Sequence, residues 1–208
     1  MSTSAKYGGK AEGWSETQYA DSAAYLGHRA DLVRTLGPPL SDGDRLLDLA
    51  CGDAGLADFL LARGIAYIGC DASPEMVGSA RARLGSRATI ELGDLNDYVP
   101  DEPVAATTFF RSIYYARDRA AFFRHAAAYT EKKLVFDLNP RQYRVEDVVT
   151  DLRSAGLERI ALRPFFVPQT VGLPRPALRA LVAAERTGPL ARAALRLRFT
   201  YLVAASRR

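Results

Sequence analysis

The apolar positions of this chain fall into two alternating patterns. Short runs of strand length recur at Arg45–Leu49, Ile65–Asp71, Ala88–Leu92, Val104–Phe110, Lys133–Phe136, Leu157–Val167 and Phe199–Ala205. Between them lie segments whose apolar residues are spaced by three and four. The first, over 16–36, places Tyr19, Ala23, Leu26, Ala30 and Val33 on one face, which predicts a helix or two. Further helices are expected over 55–63, from Pro74 to Leu84, from Asp118 to about Tyr129, and from Arg144 to Ala155. Strand alternating with helix is the pattern of an α/β doubly wound fold with a largely parallel sheet.

Punctuation between the elements supports these boundaries. Gly37-Pro38-Pro39 stops the first helical segment, and Gly64 closes the second. Ser73-Pro74-Glu75 reads as a helix start, with Ser as N-cap and Pro at the first helical position. Asp118 is a second N-cap, and Gly156 is placed as the glycine just past a helix end. From Pro168 to Arg196, four breakers (Pro174, Pro176, Gly188 and Pro189) divide the chain into two short helices, 176–186 and 189–196.

The chemistry gathers around residues 45–55. A short strand, a run of small residues and then a helix bring backbone N–H groups up to a ligand. The second strand ends on Asp71, 23 positions past Asp48, where an acid can accept from ribose hydroxyls. A dinucleotide-binding domain and a small α/β domain without a cofactor would both use this layout. The dinucleotide fingerprint wants three glycines, however, and here only Gly52 and Gly55 stand with Ala50, while Asp53 would repel a pyrophosphate.

Three segments in register carry a resemblance. Asp48-Leu49-Ala50-Cys51-Gly52, Gly69-Cys70-Asp71-Ala72-Ser73-Pro74-Glu75-Met76 and Gly93-Asp94-Leu95 resemble the first three motifs of class I S-adenosylmethionine-dependent methyltransferases. The match runs over roughly residues 15–165. It departs in the first turn, where Ala50 and Ala54 stand at the first and third glycine positions and only Gly52 is kept.

The resemblance implies a single Rossmann-like domain over 1–208: a seven-stranded, mostly parallel sheet with an antiparallel last strand. Residues 1–40 would form a helical lid, and 168–197 a helical insertion between strands 6 and 7. It also implies S-adenosylmethionine as cofactor. Asp48, Ala50, Cys51 and Gly52 would meet its methionyl end, Asp71 and Ala72 its ribose, and Met76, Asp94 and Leu95 its adenine. Arg111 past strand 4 and Tyr19 on the leading segment complete the expected cofactor set, with Trp14 a second aromatic of the lid.

Composition bounds the function further. The chain has 208 residues, 48% hydrophobic and 25% charged, which are globular values. No apolar stretch reaches membrane-span length, and Met1–Lys10 lacks the apolar run of a signal peptide, so a cytoplasmic location is expected. Cys51 and Cys70 both sit at strand ends and read as small buried fillers rather than a disulfide. No cluster with metal-ligand spacing occurs, and no metal is expected. His28 and His125 read as surface or capping residues.

The net charge of +4 is unevenly spread. Residues 157–208 carry ten arginines against Glu158 and Glu185, a net of +8 that leaves −4 for the remainder. The insertion sets Arg175, Arg179 and Arg186 and then Arg192 and Arg196 opposite Leu178, Leu181, Val182, Leu190 and Leu197. Such a surface suits an anionic partner, a dimer or a membrane. The reading made here is an apolar acceptor wall with a basic rim.

Methyl transfer needs positioning first, and a base only if the acceptor is protonated. Asp137, just past strand 5, is the candidate base or acceptor orienter; Tyr115 is the second catalytic candidate and, with Tyr114 and Arg111, the candidate pocket lining past strand 4. The Asn/Asp-Pro-Pro-Tyr/Phe motif of base N-methyltransferases is absent, since Arg111-Ser112-Ile113-Tyr114 stands in its place. A small-molecule acceptor, hydrophobic or anionic, is therefore expected, with no stable nucleic-acid partner and a monomer or homodimer. A nucleotide or RNA methyltransferase and a non-catalytic cofactor-binding subunit remain as alternatives.

Overall fold

The computed structural model describes residues 17–197 and 199–208. The helices are α1 (Ser22–Thr35), α2 (Ala57–Leu61), α3 (Pro74–Leu84), α4 (Arg119–Ala128), α5 (Val145–Ser154), α6 (Arg175–Ala184) and α7 (Gly188–Arg196). The strands are β1 (Arg45–Leu49), β2 (Ala66–Asp71), β3 (Thr89–Leu92), β4 (Val104–Phe109), β5 (Thr130–Leu138), β6 (Arg159–Pro164) and β7 (Tyr201–Ser206). They form one seven-stranded sheet in the order β3-β2-β1-β4-β5-β7-β6, with β7 antiparallel to both β5 and β6. The doubly wound sheet with an antiparallel last strand is thus present, and the helical insertion lies between strands 6 and 7. Trp14 and the first part of the expected lid lie outside the described residues.

Side chains alternate across the sheet and build two cores. In β1, Leu46 packs with α1, α2 and α3, whereas Leu47 and Leu49 pack with α4 and α5. Asp48 shares the Leu46 face and so looks toward α1. The second core is aromatic: Phe109 stacks on Phe136 at 4.7 Å and meets Phe122 edge-on at 5.0 Å. Gly69 in β2 has no room for a side chain, because an added Cβ would lie 2.8 Å from Ile90 and 2.9 Å from the Cys51 sulfur.

Several elements are shorter or shifted at their ends, β6 for example being Arg159–Pro164 rather than 157–167, and two differences have a clear cause. β5 starts at Thr130, three residues before the apolar run. Its polar first half enters the sheet because Lys133 is buried and donates from Nζ to the carbonyls of Leu36 (2.7 Å) and Arg34 (3.3 Å). The lysine caps the C-terminal end of α1, where carbonyls lack helical partners. α1 itself begins at Ser22, with the Asp21 side chain accepting from Ala24 N–H at 2.8 Å. Asp21 stops α1 because an N-cap residue adopts non-helical dihedrals.

Candidate active site

A cavity of about 300 Å³ opens at the carboxyl ends of β1, β2 and β4. Its walls come from the loops after these strands and after β3, and from Tyr19, Leu26 and Arg29 of the α1 region. This is where a doubly wound sheet reverses strand order and its loops part.

The floor is the turn after β1. Ala50, Gly52 and Ala54 all take left-handed backbone conformations, with φ of 54°, 60° and 56°. The turn thus keeps the glycine geometry while carrying alanine at two of three positions, at a strain of order 1 kcal/mol each. At Gly52 a Cβ would point into open space, and the N–H is donated to Asp71 Oδ2 at 2.8 Å. The other oxygen, Oδ1, accepts from Ser73 N–H at 2.9 Å. Each oxygen keeps further acceptor capacity, and Asp71 lines the cavity. Burial raises the Asp71 pKa, against the pull of the Ser73, Gly52 and Ala72 N–H groups.

Asp48 is buried behind this turn. It accepts from the Thr108 hydroxyl at 2.6 Å and the Tyr67 hydroxyl at 2.7 Å. Burial pushes its pKa up to about 6, although both hydroxyls and the Arg29 charge oppose the rise.

Arg29 is the feature the sequence reading missed. It is 2% exposed, and its guanidinium lies 4.3 Å from the Phe110 ring centre and 4.8 Å from that of Tyr25. It donates to the Tyr25 hydroxyl at 2.9 Å and lies 3.8 Å from Asp137 Oδ2. Burial works against its charge, but Tyr25 and Asp137 outweigh that and hold its pKa above the ordinary value. Its Nε and the Ser112 hydroxyl, both in the cavity wall, are buried without a hydrogen-bond partner. The only sequence signal was a cation one position before Ala30 on the apolar face, which local pattern cannot tell from a solvated arginine.

The far end of the cavity is built by residues 93–96 and 110–117. Asp94 Oδ1 accepts from the Asn96 N–H at 2.8 Å, and the Asn96 side chain donates to the Tyr115 carbonyl at 3.1 Å. Asn96, not singled out in the sequence, therefore ties the two loops together. Ala72, Met76 and Leu95 contribute to the walls, with Met76 and Leu95 nearly buried. Arg111, Tyr114 and Tyr115 line the mouth, the two tyrosine rings 4.3 Å apart. Cys51 also lines the cavity; both cysteines are free, and burial raises both thiol pKa values. Asp137 is not among the lining residues: its Oδ1 accepts the Arg111 N–H at 2.6 Å.

The insertion sits elsewhere. Among the described residues, none of 168–197 walls the cavity. Arg179 and Arg186 instead line a second groove, between α1 and α6, with Arg63, Leu178, Val182 and Gly27. The fastening is Glu185, which is 2% exposed, accepts from Phe166 N–H at 2.7 Å and pairs with His28 Nε2 at 2.6 Å. His28 also stacks on Phe165. The expectation of a surface or capping histidine is therefore corrected, and so is that of an acceptor wall: this buried contact draws α6 onto the outer side of α1. His125, expected at the surface, is partly buried and hydrogen-bonds the Tyr98 carbonyl at 2.9 Å. Among the described residues no His, Cys, Asp and Glu cluster is assembled to hold a metal, and no helix is long and apolar enough to cross a membrane.

Sheet order, turn and cavity together define a class I methyltransferase fold. Residues 46–133, under half of the chain, match the methyltransferase-domain family. An uncharacterized methyltransferase of Schizosaccharomyces pombe is 37% identical over 82 residues, which are 39% of this chain and 30% of that one. The chain thus spans under a third of the length of that curated relative. Among solved structures, a chain from the complex between the Haloferax volcanii Trm112 methyltransferase activator and a methyltransferase superposes with a TM-score of 0.71 at 20% identity, over 99% of this chain and 97% of that one. The magnesium protoporphyrin IX methyltransferase of Synechocystis PCC 6803, with bound S-adenosylmethionine, gives 0.60 at 17% identity over 94% and 80%. At these identities the likeness is one of fold.

Proposed function

We propose that this chain binds S-adenosylmethionine and transfers its methyl group to a small-molecule acceptor. The observation that carries the reading is the Gly52–Asp71 junction. The turn that would cradle a phosphate in a dinucleotide site here hands its N–H to a carboxylate, and Asp48 and Asp53 stand beside it. Three acids around a five-residue helix oppose a pyrophosphate and suit a ligand with hydroxyls and an ammonium.

The residues present fit that ligand. Asp71 would accept from the ribose hydroxyls, Asp94 would face the adenine amino group, and Met76 and Leu95 would lie against the ring. Asp48 would face the ammonium, with Ala50, Cys51 and Gly52 forming the wall of that end. The partnerless Arg29 Nε would receive the carboxylate, with Tyr19 stacked on Tyr25 beside it.

When bound, S-adenosylmethionine supplies an activated methyl group. The protein's own contribution is to hold an acceptor in line with it and to exclude water. Tyr115, with Tyr114 and Phe110, would clasp the acceptor, and the Tyr115 hydroxyl is the candidate to take or guide a proton. Asp137 would act as a positioning residue, setting Arg111 and steadying Arg29. The acceptor so favoured is small and largely apolar.

Calorimetry with S-adenosylmethionine and with NAD, followed by turnover on an acceptor panel, tests the reading. Affinity for the first and not the second is expected, with acceptor-dependent formation of S-adenosylhomocysteine. Tight NAD binding, or no affinity for S-adenosylmethionine, would overturn it. Binding without turnover on any acceptor would favour a cofactor-holding subunit instead.

A further inference from the structure

We infer that the helical insertion is a docking surface for an anionic lipid bilayer. Seven large hydrophobic side chains are exposed among the described residues, and four of them, Val171, Leu190, Leu197 and Phe199, fall in or beside this one span. Leu197 is 66% exposed and Phe199 44%. Leu190 lies in the first turn of α7, and Leu197 follows the helix's last residue. Isolated exposed leucines are ordinary, but such a concentration marks a contact surface.

The charge of the span chooses the partner. Arg175, Arg179, Arg186, Arg192 and Arg196 are all exposed, and among the described residues none of them takes part in an ion pair. The one acid of the span, Glu185, is buried against His28 and Phe166 and offers nothing to the surface. Arg175 and Arg179 lie one turn apart on α6, and Arg179, with Arg186 just past the helix, lines the groove beside Leu178 and Val182. A basic stripe beside apolar side chains on short helices is the composition of an interfacial element, with arginines reaching the headgroups and leucines entering the acyl boundary.

A second copy of this chain fits less well. A two-fold contact would set five guanidinium groups against five more, and Asp31, the acid in the adjoining groove, is already paired with Arg63. A nucleic acid would satisfy the arginines but leave Leu190, Leu197 and Phe199 in water. The cavity needs none of these residues, so the surface is independent of the proposed activity.

The test is co-sedimentation of the full chain with vesicles, of phosphatidylglycerol mixed with phosphatidylcholine and of phosphatidylcholine alone. Binding to the acidic vesicles only, weakening as salt rises, is expected. The triple variant Arg175→Ser, Arg179→Ser, Arg192→Ser should bind on the order of 100-fold more weakly, the loss expected for three headgroup-facing cations. Leu190→Ser with Leu197→Ser should also lose binding while S-adenosylmethionine affinity and melting temperature stay at the wild-type values. Equal binding to neutral vesicles, or binding to neither, would overturn the inference. So would a wild-type dimer that the triple variant dissociates, or duplex DNA competing the protein off acidic vesicles while the leucine variant binds them normally.

Discussion

Asp137 accepts the backbone N–H of Arg111 at 2.6 Å and at the same time lies 3.8 Å from the buried guanidinium of Arg29. Arg111 has φ of 53°, so this hydrogen bond holds a left-handed turn at the end of β4. Asp137→Ala should therefore cost stability by about 1–3 kcal/mol, chiefly because it leaves the buried guanidinium of Arg29 without its carboxylate. Cofactor affinity should fall with it, while turnover at saturating cofactor stays within a few-fold. A loss on the order of 10²-fold in turnover with unchanged affinity would make Asp137 the general base instead. Melting curves, calorimetry and steady-state kinetics on the same variant decide between the two.

Gly52 and Asp71 should matter to the cofactor rather than to the acceptor. Gly52→Val places a branched side chain at positive φ on the cavity floor, and Asp71→Ala removes the acceptor at the ribose end. Each should weaken S-adenosylmethionine binding by about 1–3 kcal/mol or more. Calorimetry finding both variants at wild-type affinity would remove the cofactor assignment.

Arg29 is expected to be intolerant of replacement. Arg29→Lys keeps the charge but cannot reproduce the planar fork over Phe110 with its bond to Tyr25. Cofactor affinity should drop about tenfold or more, as for one lost charge-assisted hydrogen bond. Unchanged calorimetric affinity would show that Arg29 serves packing alone.

The two alanines of the first turn carry strain that glycine would relieve. Ala50→Gly should raise stability by up to about 1 kcal/mol, or about 2–4 °C in melting temperature for a chain of this size. Ala54 is fully buried, so Ala54→Gly should gain less, because the lost methyl leaves a void. A fall in melting temperature for Ala50→Gly would mean that the left-handed turn is not strained.

Lys133 should leave its mark on stability as a function of pH. Burial first, and then Lys132, lower its pKa to about 7, and the nearby Asp44 only partly offsets them. A lysine depressed in the folded state binds fewer protons there than in the unfolded chain, whose lysine titrates near 10.4. Its contribution is thus lost as pH falls through about 7 and grows as pH rises above it. Melting temperature should climb between about pH 7 and 8, below the range in which the unfolded chain's thiols and tyrosines ionise. Lys133→Met should flatten that climb; an identical slope in both proteins would show Lys133 to titrate normally.

Much of the fold was legible because its causes are local. Three apolar residues in five positions define β1, and Ser73 caps α3 with Pro74 in its first turn. Asp71 is at the tip of β2 because the strand's own length puts it there. These features need only neighbours within a turn or a strand, and the order of elements then limits the sheet to very few topologies. The left-handed turn was not legible: alanine at positions 50 and 54 reads as a departure from the glycine pattern, yet both residues adopt positive φ.

What tertiary structure alone decided is contact between residues distant along the chain. Glu185 meets His28 across 157 positions, and that pairing, invisible to any local pattern, turns the insertion away from the cavity and onto α1. Lys133 extends β5 because the end of α1, 97 positions earlier, offers carbonyls to its ammonium. Arg29 enters the cavity wall because Tyr25, Phe110 and Asp137 converge on it from three elements. Helical periodicity determines which face of a helix is apolar. Whether a cation beside that face is solvated, or is desolvated among rings and a carboxylate, depends on what the rest of the chain packs against it.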